Sequence, residues 1–222
     1  MKAVFINGSP RKGWNTHQML EAAAEGARAA GAETEVIHLY DLSFTGCKSC
    51  FACKLVNSKT NGICAVRDDL RPVLEKIMDA DVLVVGSPIY YSHLTGETLS
   101  FQERLIFPVM HYGADENGNI LRDLPKPKRC GIIATMNCPE QFMERHRCPE
   151  LLEEFVGSLA WLLGDGSSKG EVLCACDTWQ FTDYSMYDVP MFDVEKKAEQ
   201  RERQWPIDLQ NAFDMGKRLC EA

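Results

Sequence analysis

Short apolar runs alternate along this chain with segments whose apolar residues recur every three or four positions. The first run, Ala3 to Ile6, reads as one buried strand and breaks at Asn7-Gly8-Ser9-Pro10. Met19, Leu20, Ala23, Ala27 and Ala30 then share one stripe, predicting a helix over residues 15–30 that stops at Gly31. Residues 33–39 alternate polar and apolar as a second strand, and residues 41–64 form a loop-rich excursion. Asp68 and Asp69 open a helix carrying Leu70, Val73, Leu74 and Ile77 on one face. Residues 81–86 are a continuous apolar run, as expected of a strand buried on both faces. A helix over 95–109 follows, then a polar surface loop over 113–127 and a fourth strand over 130–135. A long helical pattern follows Pro139, interrupted at Pro149 and carrying Leu151, Leu152, Phe155, Leu159, Leu162 and Leu163, and leads through a Gly/Ser linker (164–170) to a fifth strand at 171–176. The remainder reads as irregular, ending in a polar helix and a separate final segment over 207–220.

Strands alternating with helices imply a parallel sheet, and right-handed crossovers put helices on both faces. Five strands in this rhythm fit a doubly wound α/β fold of order 2-1-3-4-5. In that order the loops after strands 1 and 3, residues 8–16 and 87–93, leave neighbouring strand ends and share one crevice. Residues 1–177 are expected to form this domain. Residues 178–222 are expected to be an extension packing on the same domain or on a subunit interface.

The first loop suits an anion, because a strand–turn–helix start gathers free backbone N–H groups and the positive end of a helix dipole. Ser9, Asn15 and Thr16 offer hydroxyl and amide donors there, and Arg11 a planar charged fork. Gly8 and Gly13 have the spacing of a nucleotide-triphosphatase loop, but Trp14 and Asn15 stand where Lys and Ser or Thr are required. No G-x-G-x-x-G occurs, which leaves a monophosphate as the better match; an ordinary turn capped by Ser9 or Asn15 is the plain alternative. In the second loop, Pro88, Ile89, Tyr90 and Tyr91 offer a turn and aromatic faces for a flat ligand. A phosphate site and an aromatic slot together describe FMN. The alternative is that Ile89 and Tyr90 fill core and Tyr91 is a surface ring.

Length and composition narrow the classes. The chain has 222 residues and a net charge of −8, which argues against nucleic-acid binding. No apolar run has the length of a membrane span, and Met1 leads straight into a strand, so the expectation is a cytoplasmic protein. Ten cysteines in such a chain point to core filling, thiol chemistry or metal ligation rather than a disulfide scaffold. Cys130, Cys174 and Cys176 lie in apolar strands, and Cys138 follows strand four beside the expected crevice. Cys47, Cys50, Cys53 and Cys64 have C-x2-C-x2-C-x10-C spacing, for which a [4Fe–4S] cluster, a zinc ion or free thiols all remain open. No G-x-S-x-G or H-E-x-x-H is present.

Asn7-Gly8-Ser9-Pro10-Arg11 with Asn15-Thr16, followed by Gly86-Ser87-Pro88-Ile89-Tyr90-Tyr91, resembles the flavodoxin-like NADPH-dependent FMN reductase family. The cysteine segment, with Asp68-Asp69 behind it, is similar to the iron–sulfur flavoprotein branch of that family, although its last gap is longer. The likeness covers about residues 2–137. It implies a flavodoxin-like fold and an FMN reduced by NAD(P)H and reoxidised by a flavin, quinone, nitro or azo compound. Ser9, Arg11, Asn15 and Thr16 would hold the phosphate. Pro88, Ile89, Tyr90 and Tyr91 would flank the ring, with Thr135, Met136 and Asn137 on its other side. No side-chain acid, base or nucleophile is required, since the cofactor carries the chemistry. A homodimer or homotetramer is also implied. The competing readings are an electron carrier with a [4Fe–4S] cluster on the four cysteines, and a flavin-free scaffold that binds a partner through its tail.

Overall fold

The computed structural model describes residues 1–166 and 169–221. In chain order its elements are β1 (Lys2–Asn7), α1 (Asn15–Ala29), β2 (Glu33–His38), α2 (Leu70–Asp79), β3 (Val82–Pro88), α3 (Gly96–Val109), β4 (Met110–Ala114) and β5 (Ile120–Arg122). There follow β6 (Arg129–Thr135), α4 (Glu140–Arg145), α5 (Cys148–Leu163), β7 (Glu171–Ala175) and α6 (Val194–Glu221). The main sheet has the order β2-β1-β3-β6-β7 with every pairing parallel, so the flavodoxin-like order expected for its five strands is the one observed.

The alternation of each strand sorts the core into two layers. Val4, Ile6, Leu83, Val85, Ile132 and Ala134 face α2, α3 and α5, whereas Ala3, Phe5, Val82, Val84 and Ile133 face α1 and α6. Helices α1 and α6 touch backbone to backbone. A Cβ on Gly26 would stand 1.9 Å from the Phe213 carbonyl oxygen, and one on Gly216 1.8 Å from that of Ala23. Among the described residues, no helix is long and apolar enough to cross a membrane.

Three expectations need correction. Residues 113–127 do not form a plain loop: β4 and β5 pair antiparallel around a turn in which the Asp115 carboxylate accepts from the Asn117 and Asn119 amides. Alternating Met110, Tyr112, Ile120 and Arg122 are a weak strand signal that the Gly and Asn content hides. The helical pattern breaks at Arg147, which is left-handed (φ +54°), and not at Pro149. Pro149 sits in the first turn of α5, where a missing N–H leaves nothing unsatisfied. The polar helix and the final segment are one helix, α6, running through Pro206. Pro206 faces solvent, and the buried stripe of Trp205, Ala212, Met215 and Leu219 carries the helix across it. Of the expected Gly/Ser linker, Ser167 and Ser168 lie outside the described residues.

Candidate functional site

The turns after β1 and β3 are bonded to one another. Gly8 N–H donates to the Gly86 carbonyl at 2.7 Å, and the Thr95 hydroxyl donates to the Gly8 carbonyl at 2.8 Å. Gly8 is required by this approach, since a Cβ there would lie 1.9 Å from Thr98 Oγ1. Thr95 caps α3, with its hydroxyl accepting from the Thr98 amide. The start of α1 reaches the end of β6 through Thr16 Oγ1 and Thr135 Oγ1, 2.7 Å apart and buried. Strand ends β1, β3 and β6 therefore open at a single edge, the carboxyl edge of the sheet.

Within the first loop, Asn7 Oδ1 accepts from the Ser9 amide and Ser9 Oγ accepts from the Arg11 amide, giving two successive side-chain turns. Arg11 is exposed, has its guanidinium carbon 3.8 Å from the centre of the Trp14 ring and donates to the Gln180 carbonyl at 2.6 Å. Asn15 is buried, with its amide nitrogen donating to the Trp179 carbonyl at 2.8 Å. In the second loop, Tyr90 and His93 exchange backbone hydrogen bonds around Tyr91 and Ser92, which have φ of +50° and +66°. Two successive left-handed residues close the tight turn of this antiparallel bridge, a conformation that costs more where neither is glycine. Tyr91 is fully exposed and Tyr90 half exposed, while Pro88 and Ile89 are partly buried, Ile89 N–H donating to the Thr135 carbonyl. Met136 packs into the core, and its carbonyl accepts from Thr178.

Two buried polar atoms among the described residues have no partner: Trp14 Nε1 and Asn137 Oδ1. One lies in the first loop and the other in the loop after β6. An unpaired buried donor and an unpaired buried acceptor are costly, and a ligand bound between these loops would satisfy such groups. Three cavities, about 500, 650 and 550 Å³, lie elsewhere, the last against Cys47, Phe51, Phe107 and Tyr112. The first is lined by Asp81, Lys128 and Glu171, at or beside the amino ends of β3, β6 and β7, and the second by residues of the β4–β5 hairpin. Neither unpaired atom lines them, so size alone points away from this edge.

Cys47, Cys50, Cys53 and Cys64 line one narrow cavity with Phe107, Pro108 and Arg104, with about 10 Å³ of free space, roughly one water molecule. Cys47 and Cys50 are exposed, Cys53 partly so, and Cys64 buried. The segment winds tightly, with Ser49, Phe51, Asn57 and Asn61 all left-handed. Among the described residues no three metal-ligating groups are close enough to hold an ion, so the thiols share a cavity without forming a ligand set in this arrangement. Burial raises the Cys53 thiol above its ordinary value. Arg104, 1% exposed, pins the segment. It donates to Cys64 Sγ (2.9 Å), to the Thr45 carbonyl (2.8 Å) and to both oxygens of Asp68 (2.9 and 3.1 Å).

Several residues of the edge and of the cysteine segment escape the sequence reading. Thr95 was legible as a Ser/Thr cap before a helix, and Arg104 as a charge at an apolar position beside Phe101 and Leu105. Gln18, Arg201 and Trp205 carried no signal, because their contacts span more than 180 residues of chain.

A sequence model described as NADPH-dependent FMN reductase matches residues 1–123. Among curated proteins, the chain is 44% identical over 96 residues to an iron–sulfur flavoprotein of Archaeoglobus fulgidus, covering 43% of this chain and 44% of that one. To an iron–sulfur flavoprotein of Methanosarcina thermophila it is 31% identical over 106 residues, covering 48% and 53%. The chain spans about half the length of these relatives. Among solved structures it is similar to an NAD(P)H:quinone oxidoreductase from Methanothermobacter marburgensis, with TM-score 0.62, 19% identity and coverage of 100% and 98%. An azoreductase from Bacillus anthracis gives TM-score 0.63 at 12% identity, covering 98% and 99%. At such identities the likeness speaks for the fold.

Proposed function

Because the chain belongs to the NADPH-dependent FMN reductase family, we propose that it holds FMN at the carboxyl edge of its sheet and passes reducing equivalents from NAD(P)H to a small acceptor. A flavin, a quinone, a nitro or an azo compound fits the acceptor role. The observation that carries this reading is the pair of turns after β1 and β3, bonded through Gly8 and Gly86, with unpaired Trp14 Nε1 and Asn137 Oδ1 in the loops around them. FMN, when bound, supplies the hydride and electron chemistry. Ser9, Arg11, Asn15 and Thr16 would hold its phosphate, Pro88, Ile89, Tyr90 and Tyr91 one side of the ring, and Thr135, Met136 and Asn137 the other. On this reading residues 1–177 are the flavin domain and residues 178–222 an extension to it, and the assembly is a homodimer or homotetramer.

The test is reconstitution. The purified chain is expected to take up one FMN and to lose the visible flavin band within seconds of NADPH or NADH addition under anaerobic conditions. A chain that takes up no FMN overturns the reading.

A second reading is favoured by the single cavity shared by Cys47, Cys50, Cys53 and Cys64 and by the names of the curated relatives. Here the chain is an electron carrier with a [4Fe–4S] cluster on those cysteines, for which the segment must draw its sulfurs inward. Anaerobic reconstitution is then expected to give brown protein with about four iron and four sulfide per chain. Stoichiometric zinc, or no metal, rejects it.

A further inference from the structure

Helix α6 lies far from the family's matched region in sequence and yet reaches the first loop. Arg201 donates through Nη1 to Asn15 Oδ1 at 2.8 Å and through Nη2 to Gln18 Oε1 at 3.3 Å. Its guanidinium lies 3.8 Å over the Trp205 ring, and Trp205 Nε1 donates to the same Gln18 oxygen at 3.2 Å. Gln18 in turn donates from Nε2 to the Gly13 carbonyl at 2.8 Å, at the point where Gly13 turns the loop with φ +70°. One turn before Arg201, buried Lys197 is paired with Asp177, whose backbone N–H donates to the Cys138 carbonyl. Lys197, Arg201 and Trp205 thus form one stripe of α6, four residues apart, along the carboxyl edge.

Arg201 and the Trp179 carbonyl together decide which way the Asn15 amide faces. An Asn side chain is nearly symmetric in shape, and it is oriented only by its partners. Arg201 has donors alone, so the atom it meets must be the Asn15 oxygen. The Asn15 nitrogen then faces the other way, with one hydrogen on the Trp179 carbonyl and the second still to donate. Were the amide reversed, its oxygen would face the Trp179 carbonyl oxygen and no Asn15 hydrogen would be left on that side for an anion.

We infer that Arg201 is a positioning residue for phosphate recognition: the C-terminal helix fixes Asn15 as a donor, and through Gln18 fixes the Gly13 turn, so that the first loop accepts a phosphate monoester. This deepens the FMN reading and rests on it. The consequence is selective. Loss of Arg201 weakens recognition of the phosphate end of the ligand and leaves recognition of the ring unchanged.

The experiment compares FMN with riboflavin, which has the same ring and no phosphate, by quenching of flavin fluorescence. Wild type, Arg201→Met and Arg201→Lys are titrated as full chains. Arg201→Met is expected to weaken FMN about tenfold or more, as befits a lost charged hydrogen bond in a part-buried network, and to shift riboflavin less than about twofold. Arg201→Lys, which keeps the charge and loses the fork, is expected to fall between. Should Arg201→Met fail to fold, the lysine variant alone must show the same selective loss. Equal weakening of both flavins, or no weakening of FMN, overturns the inference while leaving the FMN reading intact. A wild-type chain that binds neither flavin overturns the FMN reading itself.

Discussion

Arg104 shows how much a single residue organises away from the sheet edge. Its guanidinium is buried on α3, and its bonds run to Thr45, Cys64 and Asp68, all in the excursion between β2 and α2. Replacing it by Met removes those bonds and leaves Asp68, 17% exposed, without its counter-charge. The expected cost is about 3–5 kcal/mol in urea unfolding, part of which a second change, Asp68→Asn, should recover. The same pair sets a pH dependence. Burial would raise the Asp68 carboxyl, but the Arg104 guanidinium beside it holds it below the ordinary carboxylate value. The unfolded chain therefore takes up that proton first as the solution is acidified, and stability is lost as pH falls below about 4 toward the folded value. Arg104→Met should flatten that acid limb; an unchanged limb would count against the pairing. At this scale the sequence exposes only what is locally patterned. Ser9, Asn15 and Thr16 stand out because they follow a strand and precede a helix, whereas the side of Asn15 that meets Arg201 depends on a residue 186 positions away.

Among elements, legibility follows burial. Strands β1, β3 and β6 are continuous apolar runs because helices cover both faces, and periodicity found each of them and their order. The β4–β5 hairpin is mostly solvated and has no such constraint, so its strands left little trace. In the sequence helix α6 reads as two pieces because Pro206 is a local breaker, while what sustains the helix is tertiary: its close packing on α1. That packing yields a prediction. Gly216→Ala would push a methyl group against the Ala23 carbonyl, 1.8 Å from where its Cβ must lie, and backbone on both sides cannot step aside without separating the helices. A loss of about 1–3 kcal/mol in urea unfolding is expected. FMN affinity should fall with it, since moving α6 moves Arg201. A variant as stable as wild type would show that the two helices have more freedom than their contact implies.

For the molecule as a whole, burial of thiols and of two amines, Lys54 and Lys128, sets opposing responses to alkali. Burial pushes the Cys130 thiol up to about 12, Cys174 to about 11 and Cys176 to about 12. It pushes the Lys128 amine, bonded to the Met78 and Ala80 carbonyls, down to about 8. In the unfolded chain a thiol ionises near 8.5 and a lysine near 10.4. From about pH 8 to 10.4 the unfolded state carries the Lys128 proton that the folded state has released, so this group makes stability rise with pH. From about pH 8.5 upward the unfolded state loses three thiol protons that the folded state keeps, so these groups make stability fall. Burial also raises Cys138, Cys220, Tyr40 and Tyr184, which act in the same direction as the thiols. Three strongly shifted thiols outweigh the one strongly shifted amine, Lys128, even with the lowered Lys54 beside it. Urea unfolding under reducing conditions should therefore show a shallow maximum near pH 8.5 and a decline by pH 10. Cys130→Ala is expected to soften the decline without moving its onset, because Cys174 and Cys176 still titrate there. Lys128→Met should remove the small rise below the maximum and leave the decline in place. A profile that keeps rising through pH 10 would mean that the thiols behind β6 and β7 reach water more freely than their packing against the core allows.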